Sequence, residues 1–201
     1  MRQVMKMAVA VTAASLALAA CGSSSTGTTP SAGSTGGAAS GIKVGMAYDV
    51  GGRGDQSFND AAAAGLDKAA KDLGITSKEA SATNGEAESA RTERLKQLID
   101  AGYTNIVAVG FAYAKAVGTV AKANPNVKFA IVDDASPDST GANIENITFA
   151  EHEGSFLVGA AAALKSTAKH VGFVGGVETD LIKKFQAGFE AGVKAVDPTI
   201  K

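Results

Sequence analysis

The sequence predicts an α/β fold built on a parallel sheet. Short runs rich in Val and Ile alternate with longer stretches whose apolar residues recur at helical spacing. Glycine, proline and Asp/Asn punctuation separates them, and the alternation fills residues 42–201, with ample Ala, Val, Ile and Leu for a core.

Taken in order, Ile42 to Ala47 predicts the first strand, followed by a glycine-rich turn. A helix follows, with Phe58, Ala61, Ala62, Gly65, Leu66, Ala69 and Leu73 on one face. Ser57 or Asp55 can cap its first turn, and Gly74 sits where a helix-ending glycine belongs. Ile75 to Ser81 is a weaker strand, polar enough for a sheet edge. Glu86 to Ala101 is a helix with Leu95, Leu98 and Ile99 inward, ended by Gly102. Asn105 to Val109 reads as a buried strand. Tyr113 to Ala123 reads as a helix stopped at Asn124-Pro125, because the residue before proline avoids the helical region. Val127 to Val132 is a strand closed by Asp133-Asp134, and Ile144 to Thr148 is a last short strand leading into a second lobe.

In that second lobe, Glu151 to Ser166 predicts a helix with Phe156, Leu157, Ala160, Ala161 and Leu164 inward. His170 to Val174 predicts a strand, and Asp180 to Val196 a helix with Ile182, Phe185, Phe189 and Val193 in register. The expected organisation is therefore a nearly complete first lobe over 42–149 and the start of a second over 150–201. One strand between two helices leaves an edge unpaired, so a continuation of the natural chain is expected.

The first 21 residues read as a targeting signal. Arg2 and Lys6 precede an apolar run, Met7 to Leu18, that is too short to span a bilayer. It ends in Leu18-Ala19-Ala20-Cys21, which resembles a bacterial lipobox and implies lipidation of Cys21. Cys21 is the only cysteine, so no intramolecular disulfide is possible. Residues 22–41 are Gly, Ser, Thr and Ala with one Pro and no charge, a composition that cannot bury a core. Such a tether would reach roughly 25 Å. Several acyl chains on one cysteine would hold the protein at the extracytoplasmic membrane face.

Formal net charge is −1, and removing Arg2 and Lys6 leaves −3. With no basic stripe, nucleic acid is excluded as a partner. His152 and His170 stand apart from each other and from the cysteine, so neither a metal site nor a Ser-His-Asp triad is expected, nor any cofactor. Gly51-Gly52-Arg53-Gly54 lacks the Gly-Lys-Ser/Thr ending of a phosphate loop. Arg53-Gly54-Asp55 and the sequon Asn146-Ile147-Thr148 are chance matches.

In parallel α/β sheets ligands bind beyond the carboxyl ends of the strands. The residues to examine there are Asp49, Gly51, Gly52, Gly54, Asp55, Ser57, Phe58 and Asn59 after the first strand. Gly110, Phe111 and Tyr113 follow the third, Asp133 and Asp134 the fourth, and Gly175, Gly176 and Glu178 the second lobe's strand. Pattern alone leaves Phe58 and Tyr113 open between core and site, gives Asp134 to water or a turn cap, and gives Phe156, Phe185 and Phe189 to core.

The segment D-V-G-G-R-G-D-Q-S-F-N-D, Asp49 to Asp60, closely resembles the signature of the basic membrane protein family. These are lipoprotein nucleoside receptors of ABC importers with the type I periplasmic-binding-protein fold. Gly110-Phe111, Ile131 to Asp133, Asn146 to Gly159 and Val171 to Val193 also match, so the resemblance covers nearly all of 42–196.

The resemblance implies two parallel-sheet lobes joined by a hinge, a purine nucleoside as ligand and a permease as partner. It implies no enzymatic activity, and a monomer at full length. Phe58 would stack on the base, Asp49 and Asp133 would accept ligand donors, Asn59 would join them, and Gly110 and Phe111 would shape the wall. A sugar or autoinducer receptor of the same fold and a surface-anchored nucleoside hydrolase remain open beside it, as does a lipoprotein of adhesion or antigenic display.

Overall fold

The computed structural model describes residues 41–201. The signal ending at Cys21 and all of the predicted tether but Gly41 lie outside the described residues. Five parallel strands form one sheet: β1 (Lys43–Tyr48), β2 (Thr76–Ser81), β3 (Asn105–Val109), β4 (Lys128–Val132) and β5 (Ile144–Ile147), in the order β2-β1-β3-β4-β5. The connecting helices are α1 (Phe58–Leu73), α2 (Glu88–Asp100) and α3 (Ala114–Ala123), with α4 (Glu151–Lys165) and α5 (Asp180–Val196) after the sheet.

Helices cover both sheet faces. On one, α2 and α3 bury Leu95, Leu98, Val117 and Val120 against Ala47, Ile106, Ala108 and Ile131. On the other, α1 lays Ala63 and Leu66 on Met46, Tyr48 and Val109. This explains the near-continuous burial of β1 and β3, as expected for parallel strands covered on both sides. β2 is the polar edge, carrying Lys78 and Glu79 where charge discourages further pairing.

The α1 face differs from its sequence pattern. Its buried stripe is Asn59, Ala63 and Leu66, while Ala61, Gly65 and Leu73 face outward. The helix ends as predicted at Gly74, which takes the left-handed conformation at φ 63°.

After β5 the structure departs further from expectation. No strand forms over His170 to Val174. The Val171 N–H donates instead to the Lys201 carbonyl at 2.8 Å, and the Lys201 N–H to the Lys169 carbonyl at 3.1 Å. A strand exists only by pairing with another, and no described strand runs alongside.

The predicted inward face of α4 is also reversed. Phe156, Leu157 and Leu164 are exposed, Ala161 with them, and Ala160 is half-buried, whereas Glu151, Ser155, Gly159 and Ala163 are buried. The glycines decide this. A methyl group on Gly159 would lie 2.0 Å from the Phe189 carbonyl oxygen, one on Gly188 2.2 Å from that of His152, and one on Gly192 2.0 Å from that of Phe156. Only residues without a β-carbon let the two backbones approach this closely, so α4 turns its small residues toward α5. On α5 the predicted register places Phe189 and Val193 inside and leaves Ile182 and Phe185 half-buried.

Candidate functional site

The strand order reverses direction between β1 and β3, and the crevice beyond their carboxyl ends is the ligand position in doubly wound sheets. Asp49 directly follows β1 and Gly110 directly follows β3. Gly110 has φ 98°, and a β-carbon on it would stand 2.9 Å from Asp49 Oδ2. Glycine there lets the carboxylate lie over the end of β3.

The loop from Asp49 to Ser57 is held from several sides. Asn59, buried in the first turn of α1, accepts the Asp49 N–H at 3.1 Å through Oδ1 and donates Nδ2 to the Val50 carbonyl at 3.3 Å. Its amide thus fastens the loop that carries Asp49. The helix cap is Asp55 rather than the Ser57 side chain: Asp55 accepts from the N–H groups of Asn59, Ser57 and Asp60 at 2.9, 2.9 and 3.0 Å. Those bonds, the Asn59 amide foremost, hold its carboxyl below the usual range. Arg53 ties the loop to α1 through Asp67 at 2.7 Å and to the edge strand β2 through Glu79 at 2.6 Å. Glu79 also accepts the Tyr48 hydroxyl at 2.7 Å.

Phe58 is half-buried. Its inner side packs on the cluster of Met46, Tyr48 and Val109, and its ring meets Phe149 edge to face, 6.2 Å between centroids at 61°. These rings line a cleft of about 790 Å³ with Asp133, Glu151, Phe173 and Phe185. Asp133 stands at the end of β4 with φ 68°, its N–H donating to the Ile147 carbonyl at 2.7 Å. Burial pushes its carboxyl up, and the neighbouring Glu151 and Asp134 add to this against Lys184.

Not every sequence candidate meets there. Phe111 opens a short 3-10 turn and lines a separate hollow of about 310 Å³ with Asp134, Pro137 and Thr179. Asp134 is buried and caps its turn, accepting from the Ser136 N–H and from the Ser136 and Ser139 hydroxyls. Tyr113 is core: its hydroxyl donates to the Tyr48 carbonyl and accepts from Arg94, both at 3.0 Å. Gly175, Gly176 and Glu178 lie exposed between α4 and α5.

Sequence reasoning missed Phe149, Glu151 and Arg91. Phe149 lies just past the carboxyl end of β5, where the rule applied to the other strands would have found it. Arg91 gave no signal on its charged helix. It reaches 3.7 Å from Asp49 and lies over the Tyr113 ring at 5.8 Å. Among the described residues no helix is long and apolar enough to cross a membrane, and no cluster of metal-ligating side chains forms. What the arrangement offers is an aromatic edge for a planar group and carboxylates for its donors.

The sheet order places the chain in the doubly wound α/β class. A solved solute-binding protein of an ABC transporter system from Aeropyrum pernix K1 matches with a TM-score of 0.66 and 31% identity, over 78% of this chain and 44% of that one. The architecture is type I periplasmic-binding-protein-like. The chain belongs to the Bmp family, ABC transporter substrate-binding protein PnrA-like, whose model matches residues 42–201. It is 33% identical to the ABC transporter nucleoside-binding protein BmpA of Lactococcus lactis over 98% of this chain and 55% of that protein. It is 38% identical to a CD4+ T-cell-stimulating antigen of Listeria monocytogenes over 77% of this chain and 43% of that protein. The chain spans about half the length of the curated relatives it matches.

Proposed function

We propose that this chain forms the nucleoside-receiving part of a lipid-anchored, extracytoplasmic receptor that delivers its ligand to an ABC importer. The observation that carries this reading is the cleft in which Phe58 and Phe149 present an aromatic edge beside the Asp133 carboxyl. A purine stacks on Phe58, Asp133 accepts from the base edge or ribose, and Asp49 accepts at the strand-order reversal over Gly110. Asn59 keeps the Asp49 loop in place. Carboxylates suit a neutral, donor-rich ligand better than a phosphate, which favours a nucleoside over a nucleotide. The Lactococcus relative's name supports the same ligand class. Residues 42–149 serve as the first lobe and 150–201 as the start of a second, with hinge closure on the ligand reporting a loaded receptor. Lipid on Cys21 supplies the anchor.

Calorimetry with guanosine, inosine and adenosine against ribose, glucose and guanosine monophosphate tests the reading. Nucleosides should bind, and Phe58→Ala should weaken them by about 1–3 kcal/mol, the range of base–aromatic stacking. Sugar binding without nucleoside binding would favour a sugar receptor, and release of free base, followed by chromatography, would favour a hydrolase. Cys21→Ser should abolish labelling by a fatty-acid analogue.

A further inference from the structure

One polar group in the cleft wall has no part in the roles assigned so far. Glu151 opens α4 with its side chain 2% exposed. One carboxylate oxygen accepts the Phe149 N–H at 3.3 Å. The other is buried without a hydrogen-bond partner among the described residues, and the Lys184 ammonium stands 4.0 Å away, too far for a direct bond. A buried carboxylate so poorly compensated is a cost to the fold, which makes a functional role the first explanation to test.

Its two neighbours identify that role. Phe149, bound to it through the backbone, is the ring that meets Phe58 in the cleft. Asp133, at the end of β4, shares the cleft wall with it. We infer that Glu151 is a positioning residue of the ligand site, tying Phe149 in place against Phe58 and setting a buried carboxylate beside Asp133. The inference rests on reading the cleft as a nucleoside site.

The consequence is a pH-dependent acceptor. The ionisable groups acting on Asp133 are Asp134 at its own strand end, Glu151 from α4 and Lys184 from α5. Burial raises Asp133 most, Glu151 and Asp134 raise it further, and Lys184 opposes them. Asp133 therefore becomes a full carboxylate only above the ordinary aspartate range, and affinity for a hydrogen-bond-donating ligand falls as pH drops through that interval.

The test uses the full chain, guanosine as probe, calorimetry from acidic to neutral pH, and carboxyl-carbon NMR of Asp133 without ligand, assigned with Asp133→Asn. Glu151→Gln keeps an acceptor for the Phe149 amide and removes the charge. The Asp133 titration and the acid limb of guanosine binding should both move to lower pH. Glu151→Ala should show the same shift, faster amide exchange at Phe149, and guanosine affinity weakened about fivefold or more at every pH. An Asp133 titration that stays in place in Glu151→Gln overturns the inference. A titration that moves while guanosine binds no form of the protein supports the Glu151–Asp133 coupling and overturns the nucleoside reading instead.

Discussion

Between residues 43 and 147 large side chains are removed from solvent alongside alanines: Leu95, Leu98, Ile106 and Ile131 are fully buried between sheet and helices. Between 151 and 196 they are mostly small. Gly159, Ala163, Gly188 and Gly192 are buried, while Leu157 is 69% and Leu164 74% exposed. The first region is held by apolar area removed from water, about 25 cal/mol per Å². The second is held by close backbone approach of two helices that pack mainly on each other, with a smaller apolar cluster of Ala163, Phe189, Val193 and Ile200. Apolar composition is similar in both, so composition does not say which side chains are hidden. A sheet offers a broad face for bulky residues, whereas a helix pair with glycines at its crossing closes on them. It leaves the bulky residues of α4 outside, with Phe189 and Val193 of α5 buried beside the glycines.

Substitutions can break or sharpen this contrast. The largest effect is expected for Leu98→Ala, which empties a fully buried position between α2 and the sheet. It should cost about 2–5 kcal/mol in denaturant unfolding, with the whole sheet region affected. Gly159→Ala should cost about 1–3 kcal/mol, because its methyl meets the Phe189 backbone rather than a movable side chain. Hydrogen exchange should locate that loss in 151–196 and spare 43–147. Exchange rising equally in both regions would dissolve the distinction.

A subtler effect belongs to the Glu86–Arg94 pair, which anchors α2 beside Tyr113 with contacts of 2.6 and 2.9 Å. The Arg94 guanidinium holds the Glu86 carboxyl down at about 2, below its ordinary 4.5. A folded-state value below the unfolded one means stability fully present above the ordinary range and lost as pH falls toward about 2. Glu86→Gln should therefore lower the melting temperature near neutrality and flatten its decline on acidification over that interval. Parallel melting curves against pH for the two proteins would argue against the pairing. The smallest effect, and of opposite sign, is expected at Gly65. It is exposed within α1 with open space where a methyl would go, so Gly65→Ala should stabilise by about 0.5–1 kcal/mol in the same unfolding assay. If Gly159→Ala behaved like Gly65→Ala, the close crossing of α4 and α5 would be wrong.

Local sequence determined the element order through α4, the parallel α/β class, the glycine end of α1 and the positions of Asp49, Gly110 and Asp133 at strand ends. Each rests on chemistry within a few neighbours: β-branched runs for strands, helical spacing for α1 to α3, left-handed glycine for a helix end. The resemblance at Asp49 to Asp60 also pointed to the family that the matches show. Tertiary structure alone decided what depends on distant partners. Asn59 is spent on the Asp49 loop because the first turn of α1 folds back over it. His170 to Val174 is no strand because none of the described strands lies beside it. The bulky residues of α4 face outward because glycines on α4 and α5 bring the backbones together, and apolar residues all around α4 left its periodicity no single face to mark. Phe149 and Glu151 enter the cleft, and Arg91 reaches Asp49, only when β5, α4 and α2 converge on the carboxyl ends of the sheet. Burial and charge contacts between segments far apart in the chain made those assignments, and spacing along the chain records neither.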